Sequence, residues 1–429
     1  MKSLHATLTL ATLALVATGC SPDGSVGAPG GDPETGNAGG GAPPGLGDPI
    51  DGLTQAELDA FERGRDIFSK VFTPEEGLGP HYNATSCNSC HNNPAPGGAG
   101  RLYRNFYIAR AGFSPDSASM FDLPGLVSPI VPFFGTGFHF TATFTLEGGR
   151  TVIPADVAGV PVTATQRRAI PVFGTGLFEF IDNATIMANA DPDDLDGDGI
   201  SGRTNSDVNG LGRFGTKAQS NNVEIFTRQP MQNQMGITSD PFEGSGAIVS
   251  LGHMAFQASG GMDDPTTDND GIPDPEIDTQ DLGDLIAFTR FLAPPPAKQV
   301  LDANELNGQA LLTSLNCVAC HIPTLNSSKG PVNAYTDLLL HNMGPALADN
   351  IGFGTPQAST IDPSHNGSEW RTAPLWGVSL FAPYLHDGRA QTLDEAILMH
   401  GGEAQASRDA YDALSQQDKD DLIKFLESL

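Results

Sequence analysis

Basic residues are scarce in this chain. Against 51 acidic residues stand 22 lysines and arginines, for a formal charge of -29. Nucleic acid and anionic lipid surfaces repel such a chain, which leaves small molecules, cations and basic redox proteins as partners. Long apolar runs are scarce as well. The longest, residues 8–17, is shorter than the about 20 apolar residues that a bilayer span requires, and no other stretch approaches it. Cysteine is rarer still, with five in 429 residues, so an extensive disulfide framework is excluded and each thiol has to be accounted for.

The N-terminus, MKSLHATLTLATLALVATGC, has a lysine, an apolar run and then small residues before Cys20. That is the layout of an export signal. VATGC looks like a bacterial lipoprotein processing site, with Cys20 as the lipidated first residue, and Ser21 after it favours the outer membrane over the inner. Residues 1–20 are therefore expected to be a signal peptide, the protein periplasmic, and any membrane contact to run through the lipid alone. Residues 21–52 are rich in Gly and Pro and nearly free of large apolar side chains. They cannot bury enough surface to offset their ordering entropy and are expected to be a disordered tether.

The other four cysteines form two pairs, each followed at once by histidine: CNSCH at 87–91 and CVACH at 317–321. C-x-x-C-H is the attachment signature of c-type haem, in which two thiols form thioethers and the adjacent imidazole meets the iron. Cys87, Cys90 and His91 are expected to hold one haem, and Cys317, Cys320 and His321 a second. A four-sulfur zinc site would leave both histidines unexplained and would close a loop from Cys90 to Cys317. A thiol-disulfide switch would need thiols that the thioethers consume.

Duplicated attachment motifs lie in duplicated surroundings. FERGRDIF (61–68) and LNGQALLTSLN (306–316) both carry apolar residues at helical spacing upstream of their cysteines. DLGDLIAFTRFLAPPP (281–296) and DKDDLIKFLESL (418–429) share D-L-I-x-F, and the prolines after Leu292 stop the first of these helices. RAIPVFGTGLF (168–178) matches RTAPLWGVSLF (371–381) position by position. Two copies of one plan follow, at 53–296 and 297–429, each an N-terminal or C-terminal haem domain. FHFTATFTLEGGRTVIP (138–154) reads as a short β-hairpin inserted in the first copy.

The segments EEGLGPHYNATSCNSCHNNPAPGG, LLLHNMGPALAD and RTAPLWGVSLFAPYLHDGRAQTLDEAILMHGGEA resemble the di-haem oxidoreductase family, within the broader bacterial di-haem cytochrome c peroxidase group. The resemblance runs from about residue 53 to the C-terminus. It implies a mainly α fold of two cytochrome c-like domains with long loops and a small β insertion, the haems lying near the domain interface. Met343 stands where the peroxidases carry the methionine of their high-potential haem, with His341, His386 and Met399 as competitors. Glu179, where the second copy has Ala382, is a candidate for acid-base work on peroxide, as a glutamate is in related peroxidases, or else a partly buried carboxylate paired with a nearby arginine. Arg168 and Arg371 are candidates for haem propionates, and either tryptophan, Trp370 or Trp376, is a candidate to carry an electron between haems. His386 is expected to be structural or propionate-binding, and Thr392 to cap a helix.

DLDGDGISG places Asp194, Asp196 and Asp198 at alternate positions before Gly199, the first half of an EF-hand-type loop, and calcium is a further expectation there. Together these features imply a di-haem oxidoreductase of peroxidase type, taking electrons from a small redox protein at the C-terminal haem and reducing peroxide at the N-terminal one. An electron-transfer cytochrome without catalysis, and a haem oxygenase that cleaves an organic substrate, are the alternatives.

Overall fold

Two helix pairs organise the molecule, and both begin with a strong local start signal. Helix α1 (Gln55–Ser69) opens at Thr54, whose hydroxyl accepts from the Glu57 amide while the Glu57 carboxylate accepts from the Thr54 amide. Helix α5 (Ala303–Ser314) opens with the same reciprocal device, Asp302 with Glu305. Each cap satisfies amides that the first helical turn leaves without partners. Between them in sequence lie α2 (Asn183–Met187), α3 (Val223–Met235) and α4 (Thr279–Phe291); after α5 come α6 (Leu393–Leu398), α7 (Gln405–Asp412) and α8 (Gln416–Glu427). Helix α4 stops at Phe291, directly before the prolines, and Thr392 caps α6 through the Glu395 amide, both as the sequence predicts.

The computed structural model describes residues 45–111, 160–207, 209–240, 270–349, 351–354, 356–361 and 367–429, with five short strand segments between 130 and 157. The expected signal peptide and most of the expected tether lie outside them. Residues 45–50, assigned to that tether from composition, are instead fixed to the fold. Leu46 is buried, the Ile50 amide donates to Phe291 O at 2.8 Å, and the Ala293 amide donates to Asp48 O at 2.9 Å. Among the described residues no helix is long and apolar enough to cross a membrane.

Helix α1 packs on α4, and α5 packs on α8, by one shared solution. On α1 a side chain at Gly64 would put its Cβ 1.9 Å from Asp284 O; on α5 a side chain at Gly308 would put its Cβ 2.1 Å from Asp421 O. The backbones therefore approach closely only because neither position carries a side chain. The partner helices present the matched D-L-I-x-F segments at these contacts, Phe288 lying under Gly64 and Phe425 under Gly308. Phe61 and Phe68 of α1 flank Phe288, with ring centroids at 5.1 and 4.9 Å. The internal repeat read from the sequence is thus a repeat of packing.

The two R-x-x-P segments meet each other reciprocally. Phe178 of the first stacks on Trp376 of the second, at 5.4 Å and 9°, and Phe381 of the second stacks on Phe173 of the first, at 6.0 Å and 19°. Position for position, Phe173 matches Trp376 and Phe178 matches Phe381, so the contact has the character of an interface between two like halves. Gly174 (φ +71°) and Gly377 (φ +60°) make the left-handed turns after these segments, Gly174 against Pro294 and Gly377 against Pro295. One core cluster consequently draws residues from both copies, from Leu46 to Leu292 and on to Leu325, Trp376 and Phe381. Residues 42–429 form one compact unit.

A four-stranded antiparallel sheet runs in the order Ile130–Val131, Phe106–Ala111, Val160–Arg167, Asp156–Val157. The predicted hairpin forms within the inserted segment, Thr145–Glu147 pairing with Arg150–Val152 on either side of Gly148 and Gly149.

Gly308→Ala and Gly64→Ala are each expected to destabilise the fold by roughly 1–3 kcal/mol, the cost of overpacking a tight contact. Gly283→Ala, on α4 with nothing within 4 Å of its Cβ position, should instead stabilise by about 0.5–1 kcal/mol. Denaturant unfolding of the three variants checks the contrast.

Candidate haem sites

Both C-x-x-C-H segments fold the same way. Cys87–Ser89 and Cys317–Ala319 are single 3-10 turns, and the His91 and His321 amides donate to the Cys87 and Cys317 carbonyls at 3.0 and 2.9 Å. Each histidine then has its Nδ1 against a backbone carbonyl, His91 on Gly98 O at 3.2 Å and His321 on Tyr335 O at 2.9 Å. That contact fixes each ring, as it does in metal-bound histidines, and in His321 it leaves Nε2 as the basic nitrogen, while the His91 ring also meets the Ile170 backbone. Burial lowers the pKa of both rings, that of His321 to about 4, so each stays neutral and able to donate a lone pair.

Burial pushes the thiols the other way, Cys87 up to about 12 and Cys317 up to about 11. Thiols held so far from ionisation make poor thiol-disulfide catalysts. Nor do the two cysteine pairs converge on a four-sulfur cluster among the described residues. The zinc and thiol-switch readings fail on these grounds.

A cavity of about 320 Å³ opens beside the second motif, lined by Cys317, Cys320 and His321, by apolar residues such as Leu312, Leu375 and Phe381, and by residues of the first half, Arg168, Ile170 and Pro171. Arg168 and Arg371 both reach it, as expected of the matched R-x-x-P arginines. Arg168 donates to Gly100 O at 2.7 Å and to Pro383 O. Arg371 donates from Nε to Gly215 O at 2.9 Å, while its buried Nη1 has no partner among the described residues. Burial draws both guanidinium groups down to about 10. A mostly apolar cavity with a neutral imidazole, two thiols and an orphaned guanidinium N–H fits a haem, whose ring is apolar and whose propionates would satisfy the arginine.

Met343 lines this cavity, and so does His400, which the sequence reading passed over. His400 ends the α6 segment in LMHGG, and its Nδ1 lies 2.7 Å from Ala396 O. Its ring therefore repeats the arrangement of His91 and His321, and burial keeps it neutral too. Its signal was a histidine just beyond an amphipathic helix, followed by two glycines. His341, weighed as a ligand, is unsuited to it because both its nitrogens are engaged, Nε2 with Asp337 and Nδ1 with Glu403, each at 2.8 Å. His386 stacks on Trp370 at 3.8 Å, in keeping with a structural role.

Around His341 a buried charge network reaches across the halves. Glu403 accepts from the Asn342 amide at 3.0 Å and from the Ser201 hydroxyl at 2.7 Å, holding the turn that carries Met343. Burial opposes the charge on both groups, and the pairing outweighs it, raising His341 well above its usual value and holding Glu403 at about 2.

Glu179 does not have the environment expected of a proton-transfer group. Its Oε1 accepts from the Val223 amide at 2.7 Å and its Oε2 from Arg290 Nε at 2.6 Å. Both oxygens are committed to holding the start of α3 against α4, a structural role. In the acidic loop, the carboxylates that converge are those of Asp191, Asp194 and Asp196. Asp198 stands outside that group and accepts from the Ile200 amide at 2.8 Å, and Asp191, Asp194 and Asp196 likewise accept from nearby amides of the turn.

The family model described as "Di-haem oxidoreductase, putative peroxidase" matches residues 152–429, well over half the chain. No curated protein matches it in sequence. Among solved structures it is similar to hydrazine synthase of Kuenenia stuttgartiensis, at 18% identity over 46% of this chain and 71% of that one, TM-score 0.28. A MauG-like protein associated with microbial copper homeostasis shares 24% over 35% and 56%, TM-score 0.25. A variant of the diheme peroxidase BthA from Burkholderia thailandensis shares 15% over 89% and 86%, TM-score 0.39. These superpositions are loose, and only the family match bears on function.

The Glu403 carboxylate titrates near 4.5 in the unfolded chain and near 2 in the folded one. Its contribution, on the order of 3 kcal/mol, is present above pH 4.5 and is lost as pH falls toward 2. His341 acts oppositely: its share is full below its unfolded value and is lost as pH rises through the folded one. Unfolding measured from pH 6 to pH 2.5 should show the acid loss, and Glu403→Gln should flatten it.

Proposed function

Because the chain belongs to the di-haem oxidoreductase family, we propose that it carries two covalently attached c-type haems and acts as an oxidoreductase of peroxidase type. Cys87, Cys90 and His91 hold one haem, and Cys317, Cys320 and His321 the other. When bound, the haems supply one-electron chemistry and a metal at which peroxide can be reduced, electrons entering at the C-terminal site from a small redox protein and being used at the N-terminal site. The observation that carries this reading is the paired geometry of the two motifs, each histidine pinned through Nδ1 beside two half-buried cysteines.

At the C-terminal site His400, in preference to Met343, would join His321 in holding the cofactor's metal. Its ring is neutral, oriented by Ala396 O and lodged in the wall of the same cavity as His321. A metal held by two strong protein ligands would suit electron entry rather than reaction with a small oxidant, which would leave the chemistry to the N-terminal site. Arg371 Nη1 and Arg168 anchor acidic groups of the C-terminal cofactor, and the apolar lining keeps water out. Export through the N-terminal signal, with lipid attachment at Cys20, places the protein in the periplasm on the outer membrane.

Expressed with a cytochrome c assembly system, the native chain should gain the mass of two haems that survive acid-acetone extraction. Replacing Cys317 and Cys320 by alanine should remove one of them. A chain that gains none sinks the reading. His400→Ala should convert one low-spin iron to high spin in the EPR spectrum, while Met343→Leu leaves it low-spin. The reverse pattern would return the ligand to Met343. Peroxide that alters no optical band of the half-reduced protein would leave an electron carrier without peroxidase chemistry.

A further inference from the structure

The two tryptophans, equal candidates in the sequence, lie in opposite electrostatic surroundings. Trp370 is the middle residue of the strand Glu369–Arg371, lies in the wall of the C-terminal cavity and donates from Nε1 to Leu347 O at 3.0 Å. On one face His386 stacks in parallel, 3.8 Å away and 13° inclined. The ammonium of Lys217 is 3.5 Å from the ring centroid and the guanidinium of Arg167 is 4.8 Å from it. An imidazole and an ammonium this close cannot share a face, so the cation lies opposite the histidine. Asp349 accepts from Arg167 Nε at 2.9 Å and pairs with Lys217 at 3.7 Å; burial draws the Lys217 ammonium down to about 7, so the three-group cluster carries a net positive charge while Lys217 is protonated. Lys217 is further held by Gly367 O at 2.9 Å and by Glu369 O.

Trp376 has no such neighbour. It stacks on Phe178, and among the described residues no cation lies over its ring. A cation over an indole face stabilises the electron-rich neutral ring and opposes loss of an electron from it, the more so in a dry interior where charges act at low dielectric.

We propose that Lys217 and Arg167 hold Trp370 in its reduced form, so that oxidising equivalents arising at the cavity bypass it although it forms part of the cavity wall. The step suppressed is transfer of one electron from the indole π system to an oxidant, the oxidant being reduced by that electron and the indole N–H left acidic. Within the proposed function the oxidising equivalents come from peroxide, which takes two electrons and two protons to give water; the inference rests on that reading for its role, while the insulation itself can be measured without it.

The test is flash-quench oxidation of the holoprotein with photogenerated tris(bipyridine)ruthenium(III), followed by peptide mass mapping of oxygen uptake at the two tryptophans. In the native protein Trp376 should be modified and Trp370 spared. In Lys217→Met the ratio of Trp370 to Trp376 modification should rise several-fold, and Lys217→Arg should keep the native ratio. Trp370 modified as readily as Trp376 in the native protein overturns the proposal with no variant needed, and so does an unchanged ratio in folded Lys217→Met. A parallel sample given hydrogen peroxide reports on the proposed function separately, since a haem spectrum indifferent to peroxide fails that reading whatever the ruthenium oxidant shows.

Discussion

The close approach of backbone to backbone at Gly64 and Gly308 is the contact from which the rest of the architecture follows. A helix that crosses another at a glycine can bring its axis near enough for main-chain atoms to touch, and here Asp284 O and Asp421 O occupy the space a side chain would take. The aromatic residues one turn on, Phe288 and Phe425, then fill the angle between the helices. Helix α5 leads directly into Cys317, so the crossing with α8 sets where the second attachment turn begins. Helix α1 does the same at longer range, with Phe68 beside both Phe288 and the His91 ring, the latter at 6.2 Å. Position of the histidines is therefore inherited from packing of the helices.

The second constraint is reciprocity between the halves. Phe173 meets Phe381 and Phe178 meets Trp376 because each half offers the same aromatic pair, and the prolines that end α4 wedge against Gly174 and Gly377. This contact moves the start of the first R-x-x-P segment into the cavity of the second half, where Arg168, Ile170 and Pro171 line the wall. The C-terminal site is thus completed by the N-terminal half.

Charge is buried around that site in groups of opposite sign. Arg167 with Asp349 and Lys217, Arg203 with Glu369, and His341 with Asp337 and Glu403 all lie within the interior. Buried pairs of this kind repay their desolvation only with good geometry and further hydrogen bonds, and these have them, as in the Glu403 contacts to Ser201 and Asn342. Their benefit lies in orientation: they hold the Met343 turn and Trp370 in fixed relation to the cavity. In a chain with a large acidic excess on the whole, several of the few cations, Arg167, Arg168, Lys217 and Arg371 among them, are buried in or beside this cavity.

Much of this was legible in the residues because it is local. A C-x-x-C-H turn, a Thr or Asp cap three residues before Glu, a proline that ends a helix and a Gly-Gly between two strands each depend on a few neighbouring positions, and the structure forms them where the sequence puts them. The duplicated segments also showed that the helices would pair in the same way twice. What the sequence could not decide was long-range. Glu179 stood between acid-base work and an arginine pair, and only the fold shows that it meets Arg290, 111 positions away, with both oxygens committed. His400 carried no motif of its own, and only the folding of α6 against the cavity shows its ring beside the wall that holds His321. Trp370 and Trp376 were indistinguishable as letters, and their difference arises from Lys217 and Arg167 arriving from distant segments. Local hydrogen bonding and periodicity were written in the chain, whereas the electrostatic surroundings of each side chain depend on which remote segments tertiary packing brings within a few ångströms.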